Sequence, residues 1–161
     1  MESNDLLSIV PHRGKMLLLS RIIGYNPEER SLEAEYYITE NCLFYDQEIG
    51  GVPGWVGFEC IAQAIAAFSG IRCREKRSSA ANKPPALASS VKPRIGFILS
   101  ISKMQVFLPV LNSGSTVLIK IKELDSMDSV YNFNGQIFLE GEKALEGKLT
   151  VMEVEGDVSV G

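Results

Sequence analysis

The sequence predicts an α+β domain in which a strongly curved antiparallel sheet wraps around one long central helix. Three observations predict it. Residues 55–71, WVGFECIAQAIAAFSGI, are rich in alanine and apolar nearly all round, which marks a helix buried on most sides. Strand-like runs flank that stretch, two before it and four after it. Neither such a helix nor a sheet with one apolar face can cover itself, so the two must pack on each other. At 161 residues, 45% apolar and 22% charged, the chain is sized for one such domain over 1–161, and it shows no repeat or clear linker.

Each element follows from local pattern. Residues 5–10, DLLSIV, read as a short helix stopped by Pro11. Residues 16–23, MLLLSRII, form an apolar strand-like run, and Asn26-Pro27 marks a turn after it. In residues 31–38, Leu32, Ala34 and Tyr36 alternate with Glu33 and Glu35, the period of a half-buried strand. Residues 50–54, GGVPG, read as a turn into the long helix, expected near residues 55–72. A membrane span is the rival reading of that helix. Glu59, Gln63, its glycine and serine interruptions and a length near the lower limit argue against it. Residues 74–93, rich in Ser, Ala, Asn, Lys and Pro, read as a long loop. Four strand-like runs follow: 95–101 continuing into 104–109, then 116–122, 130–139 and 144–154, with turns at Asn112 to Gly114 and at Gly141.

The net charge is −4, yet the stretch from Cys60 to Lys122 holds ten bases and a single acid, Glu75. A basic middle in an acidic chain points to an anionic partner, with ordinary solvated lysines as the plain alternative. The opening MESND lacks a charged n-region, so no secretory leader is expected. Cys42, Cys60 and Cys73 have no paired spacing and His12 is the single histidine. A zinc site or disulfide framework is therefore not expected, and a reducing cytoplasm is. There is no P-loop, dinucleotide fingerprint, HExxH or GxSxG, and the basic stretch has little aromatic interleaving. No metal, nucleotide cofactor or nucleic acid is expected.

Glu59 is the residue that invites chemistry. It sits one turn into an apolar helix, with Gln63 four residues on and on the same face. A carboxylate in apolar surroundings is destabilised unless it is paired or its pKa rises, and a raised pKa suits a general acid or base near neutrality. The alternative is a carboxylate that caps the helix or pairs with a nearby base. Pro53 and Gly54 precede the helix, whose first amides are unsatisfied donors carrying partial positive charge. A glycine there lets a substrate carbonyl approach, as an oxyanion site for a thioester would need; a turn that requires Pro and Gly for its shape is the other reading. Any imidazole base in this chain must be His12, which could equally be structural. Cys60 lies on a different face from Glu59 with no base spaced to activate it, and reads as a small core residue.

Two segments resemble the 3-hydroxyacyl-acyl-carrier-protein dehydratases of the hotdog superfamily. Residues 11–19, PHRGKMLLL, are similar to that family's Pro-His-Arg segment leading into an apolar strand. Residues 53–63, PGWVGFECIAQ, are similar to its helix-start motif, with the Pro-Gly-to-acid spacing falling on Gly54 and Glu59. The PHRGKM start, Glu59 to Ala67 and Gly96 to Leu99 resemble most the divergent dehydratase-like branch of aryl-polyene pathways. There is one departure. The family has a His-Phe-Pro segment, carrying its catalytic base, shortly before Pro-Gly; here FYDQEIGGVPG contains no histidine, and Tyr45 or Glu48 fall nearest.

The resemblance implies a hotdog fold and elimination of water from a 3-hydroxyacyl thioester, with Glu59 as acid. His12 would be the base, and Gly54, Pro53 and Gln63 would contact substrate. It implies no cofactor, an acyl-carrier-protein or CoA thioester, a homodimer or a heterodimer with a related hotdog subunit, and a cytoplasmic place in fatty-acid or polyene synthesis. Three ways around the missing histidine stay open: His12 as base, a histidine from a paired subunit, or a chain that has kept only acyl binding or a stabilising role. A hotdog thioesterase, in which the helix carboxylate activates water, is a further alternative. Arg72, Arg74, Lys76 and Arg77, just after the helix, are the expected docking surface for an acidic carrier protein.

Overall fold

The computed structural model describes residues 6–81 and 94–155. Its elements are β1 (Arg21–Asn26), β2 (Ser31–Tyr37), β3 (Gly51–Pro53), the helix α1 (Gly57–Ala81), β4 (Arg94–Val106), β5 (Val110–Asn112), β6 (Thr116–Met127), β7 (Val130–Leu139) and β8 (Glu142–Glu155). Six strands form one sheet in the order β1-β2-β6-β7-β8-β4, antiparallel throughout, while β3 and β5 pair separately. One long helix packs on the concave face of this large sheet, the hotdog arrangement.

Alternation places the strands. In β2, Leu32, Ala34 and Tyr36 point inward, and Glu33 and Glu35 outward to Lys120 and Arg21. In β7, Tyr131, Phe133, Ile137 and Leu139 point inward at every second position. The helix presents Cys60, Ile61, Ala64, Ala67 and Phe68 to this face, all buried. Gly135 of β7 lets the layers close: a Cβ there would lie 2.4 Å from Ile61. By length and composition the helix could cross a membrane; here most of its apolar stretch is buried against the sheet.

Local details depart from the expectations. The apolar run 16–23 does not become a strand until Arg21. Residues Gly14–Met16 make a 3-10 turn, and the Leu18 amide donates to the Gln63 side chain rather than to a neighbouring strand. Residues 50–54, expected as a turn, contain β3, because Gly51 to Pro53 find partners in Asn112 to Val110. The short helix at 5–10 is one turn, with the Ile9 and Val10 amides donating to Leu6; residue 5 lies outside the described residues. The long helix begins at Gly57 and runs on to Ala81, so 74–81 of the expected loop is helical and 82–93 lies outside the described residues. Residues 74–79 carry good helix formers and exposed bases, which a helix extending into solvent tolerates.

Candidate active site at the helix start

The site forms where the N-terminal segment crosses the first turns of α1. Pro53 closes β3 with an extended backbone, a 3-10 turn over Gly54–Val56 follows, and α1 starts at Gly57. This places Glu59 in the first helical turn, at the half-exposed rim of the domain. His12 reaches it from the Pro11 turn: its Nε2 lies 3.3 Å from Glu59 Oε1, with the two side chains 26% and 34% exposed. Arg13 braces that turn, its guanidinium donating to the carbonyls of Val10 and His12 at 2.6 and 2.8 Å.

Gln63 ties the two parts together. Its Nε2 donates to Glu59 Oε1 at 2.9 Å and to the Met16 carbonyl at 2.8 Å, and its Oε1 accepts the Leu18 amide at 2.8 Å. The side chain is fully buried and every polar atom is used. Gln63 was expected to touch substrate; it holds Glu59 and the strap carrying His12 instead. Glu59 Oε1 thus has two neighbours, Gln63 and His12.

Gly54 also departs from expectation. Its amide donates to the Pro109 carbonyl at 2.7 Å, so the donor assigned to the thioester oxygen already has an acceptor. A Cβ at this position would lie 2.0 Å from the Leu108 carbonyl oxygen. The glycine is required by the close passage of the chain entering β5, and Pro53 sits opposite Val110 at the end of β3. Cys60, beside Glu59, is fully buried; burial, then the neighbouring Glu59, pushes its thiol well above the ordinary range, as a core residue requires. The loop that lacks a histidine, which holds Tyr45 and Glu48, is closed by paired bonds between Asp46 and Gly51.

Two features were not anticipated. Trp55, 56% exposed, stands one turn before Glu59 and is met edge-on by Phe44 at 6.0 Å. Arg72, expected to dock a carrier, turns inward. Its guanidinium is 2.6 Å from Glu123 and 3.4 Å from Glu153, both buried, and lies over the rings of Tyr131 and Phe68 at 4.9 and 5.3 Å. Arg74, Lys76 and Arg77 remain on the exposed side of the helix. Among the described residues, no group of His, Cys, Asp and Glu is arranged to hold a metal ion.

A family model for ApeP-like proteins, described as ApeP dehydratase, matches residues 4–160. The chain belongs to the ApeP-like family. It is similar to the 3-hydroxyacyl-[acyl-carrier-protein] dehydratase FabZ of Geotalea uraniireducens, 24% identical over 151 residues that cover 92% of this chain and 94% of the relative. It is also similar to the bifunctional enzyme LpxC/FabZ of Chlorobaculum tepidum, 26% identical over 152 residues, covering 93% of this chain but only 30% of that longer protein. Among solved structures, the dehydratase heterocomplex ApeI:P from Xenorhabdus doucetiae shares the fold, with a TM-score of 0.74 and 22% identity over 96% of this chain and 92% of that one. This ApeP-like chain is therefore a dehydratase-like hotdog protein.

Proposed function

We propose that this ApeP-like chain removes water from a 3-hydroxyacyl thioester, with Glu59 as the acid and His12 as the base. The observation that carries the reading is the 3.3 Å contact between His12 and Glu59 at the start of a buried helix. Elimination needs one group to take the proton on C2 and another to protonate the hydroxyl on C3. These atoms sit on adjacent carbons, so a touching acid–base pair can serve both from one face of the substrate.

In this reading Glu59 begins protonated and His12 neutral. His12 takes the C2 proton, the electrons form the C2–C3 double bond, the C3–O bond breaks, and Glu59 supplies the proton that lets the hydroxyl leave as water. The proton held by His12 then passes to Glu59 across their contact and resets the pair. Gln63 keeps Glu59 oriented throughout. The Trp55 amide, in the opening turn ahead of the helix, is the donor this reading assigns to the thioester oxygen.

The site opens at the surface, and β4, at the edge of the sheet, exposes Phe97, Ile98, Leu99, Ile101, Met104 and Val106. A strand edge this apolar calls for a covering partner. Likeness to a heterocomplex favours a second hotdog subunit there, like or unlike, which would close the site from the far side. Arg74, Lys76 and Arg77 suit an acidic carrier protein delivering the thioester in the cytoplasm. The test is product analysis by mass spectrometry after incubating the purified protein with 3-hydroxydecanoyl-carrier-protein. An enoyl thioester lighter by one water supports the reading. Free thiol and free hydroxy acid would instead make the protein a thioesterase.

A further inference from the structure

We propose that Trp55, braced by Phe44, is the surface that receives the acyl chain beyond C3 and sets which chain lengths are used; this rests on the dehydratase reading of Glu59. Trp55 lies in the 3-10 turn that leads into the helix, four residues before Glu59, which keeps the two backbones within roughly 7 Å along the axis. The carbons after C3 of a substrate engaged by Glu59 fall within that reach. The indole is 56% exposed, yet its orientation is fixed by the edge-on Phe44 ring at 6.0 Å. Leu43 and Met16, the latter held at its carbonyl by Gln63, add exposed apolar surface nearby.

This surface is apolar, so of the two arms leaving the reacting carbons it suits the hydrocarbon arm. The pantetheine arm, with its amides, would find few partners here. A rigid aromatic pair also receives a flexible chain without itself losing rotamer freedom. One face of contact is worth about twofold in kcat/KM per added methylene, roughly half of full burial in free-energy terms.

Trp55 is the only tryptophan, so its emission reports on the site directly. The probes are 3-hydroxybutyryl- and 3-hydroxydecanoyl-pantetheine amides, in which an amide replaces the thioester and blocks turnover. The proposal expects the decanoyl amide to shift the emission to the blue and the butyryl amide to leave it nearly unchanged. It also expects Trp55→Ala to collapse the ratio of decanoyl to butyryl thioester kcat/KM toward unity, with Trp55→Phe restoring part of it. Emission blind to the decanoyl amide, together with an unaltered ratio in Trp55→Ala, would overturn it. So would emission that shifts only as the protein assembles at rising concentration, since another subunit would then cover the indole. If the amide shifts the emission while no thioester is dehydrated, the acyl surface stands and the dehydratase reading fails.

Discussion

At the residue scale the controlling side chain is Gln63. From the sequence it could be placed on the Glu59 face, because helical spacing needs only local information. Its bonds to Met16 and Leu18 could not be read, since they join positions 47 and 45 residues apart. The same limit applies to Gly54, whose role depends on how closely the chain at Leu108 passes. His12 and Glu59 were legible as candidates, and their contact was not. Replacing Gln63 with Leu would strip the buried Leu18 amide of its acceptor and is expected to lower stability by about 1–3 kcal/mol, read as a shift in the urea midpoint. Turnover should fall with it, because Glu59 loses its support; an unchanged midpoint would show that water replaces the side chain at little cost. Cys60 offers a simpler check. Buried and with its thiol pushed up, it should resist iodoacetamide at neutral pH in the folded protein, and mass mapping should find label on Cys42 or Cys73 first.

At the element scale the long helix and the main strands were legible, because apolar content and alternation are properties of a short window. β3 and β5 were not. Each spans only three residues and exists because the other is there. The far end of the helix was missed for a related reason: a window rich in lysine, arginine and serine reads as loop until Arg72 is seen anchoring it. That anchor joins α1 to β6 through Glu123 and to β8 through Glu153, which also accepts from Ser69. Replacing Arg72 with Met should cost about 3 kcal/mol, since two buried carboxylates lose the guanidinium they share. Adding Glu153→Gln to that variant should recover part of the loss. Stability of Arg72→Met equal to wild type would mean that Arg30, 3.2 Å from Glu123, suffices alone.

At the scale of the whole molecule, the sheet encloses one side of the helix and leaves the His12–Glu59 turn and the apolar β4 edge at the surface. The fold thus completes its core within one chain and leaves the proposed site half open, which is why the proposal gives it a second subunit. If β4 is the contact, Ile101→Lys should weaken association, seen as a lower mass in sedimentation at micromolar concentration; unchanged assembly would move the interface elsewhere. The His12–Glu59 pair is the centre of the proposed chemistry. The most direct measurement is the kcat for dehydration of 3-hydroxydecanoyl-carrier-protein by the purified wild-type assembly, by Glu59→Gln and by His12→Asn. If the pair is the acid and the base, each substitution lowers kcat by about 10²-fold or more while the folded spectrum is retained. A His12→Asn protein turning over at the wild-type rate would contradict it.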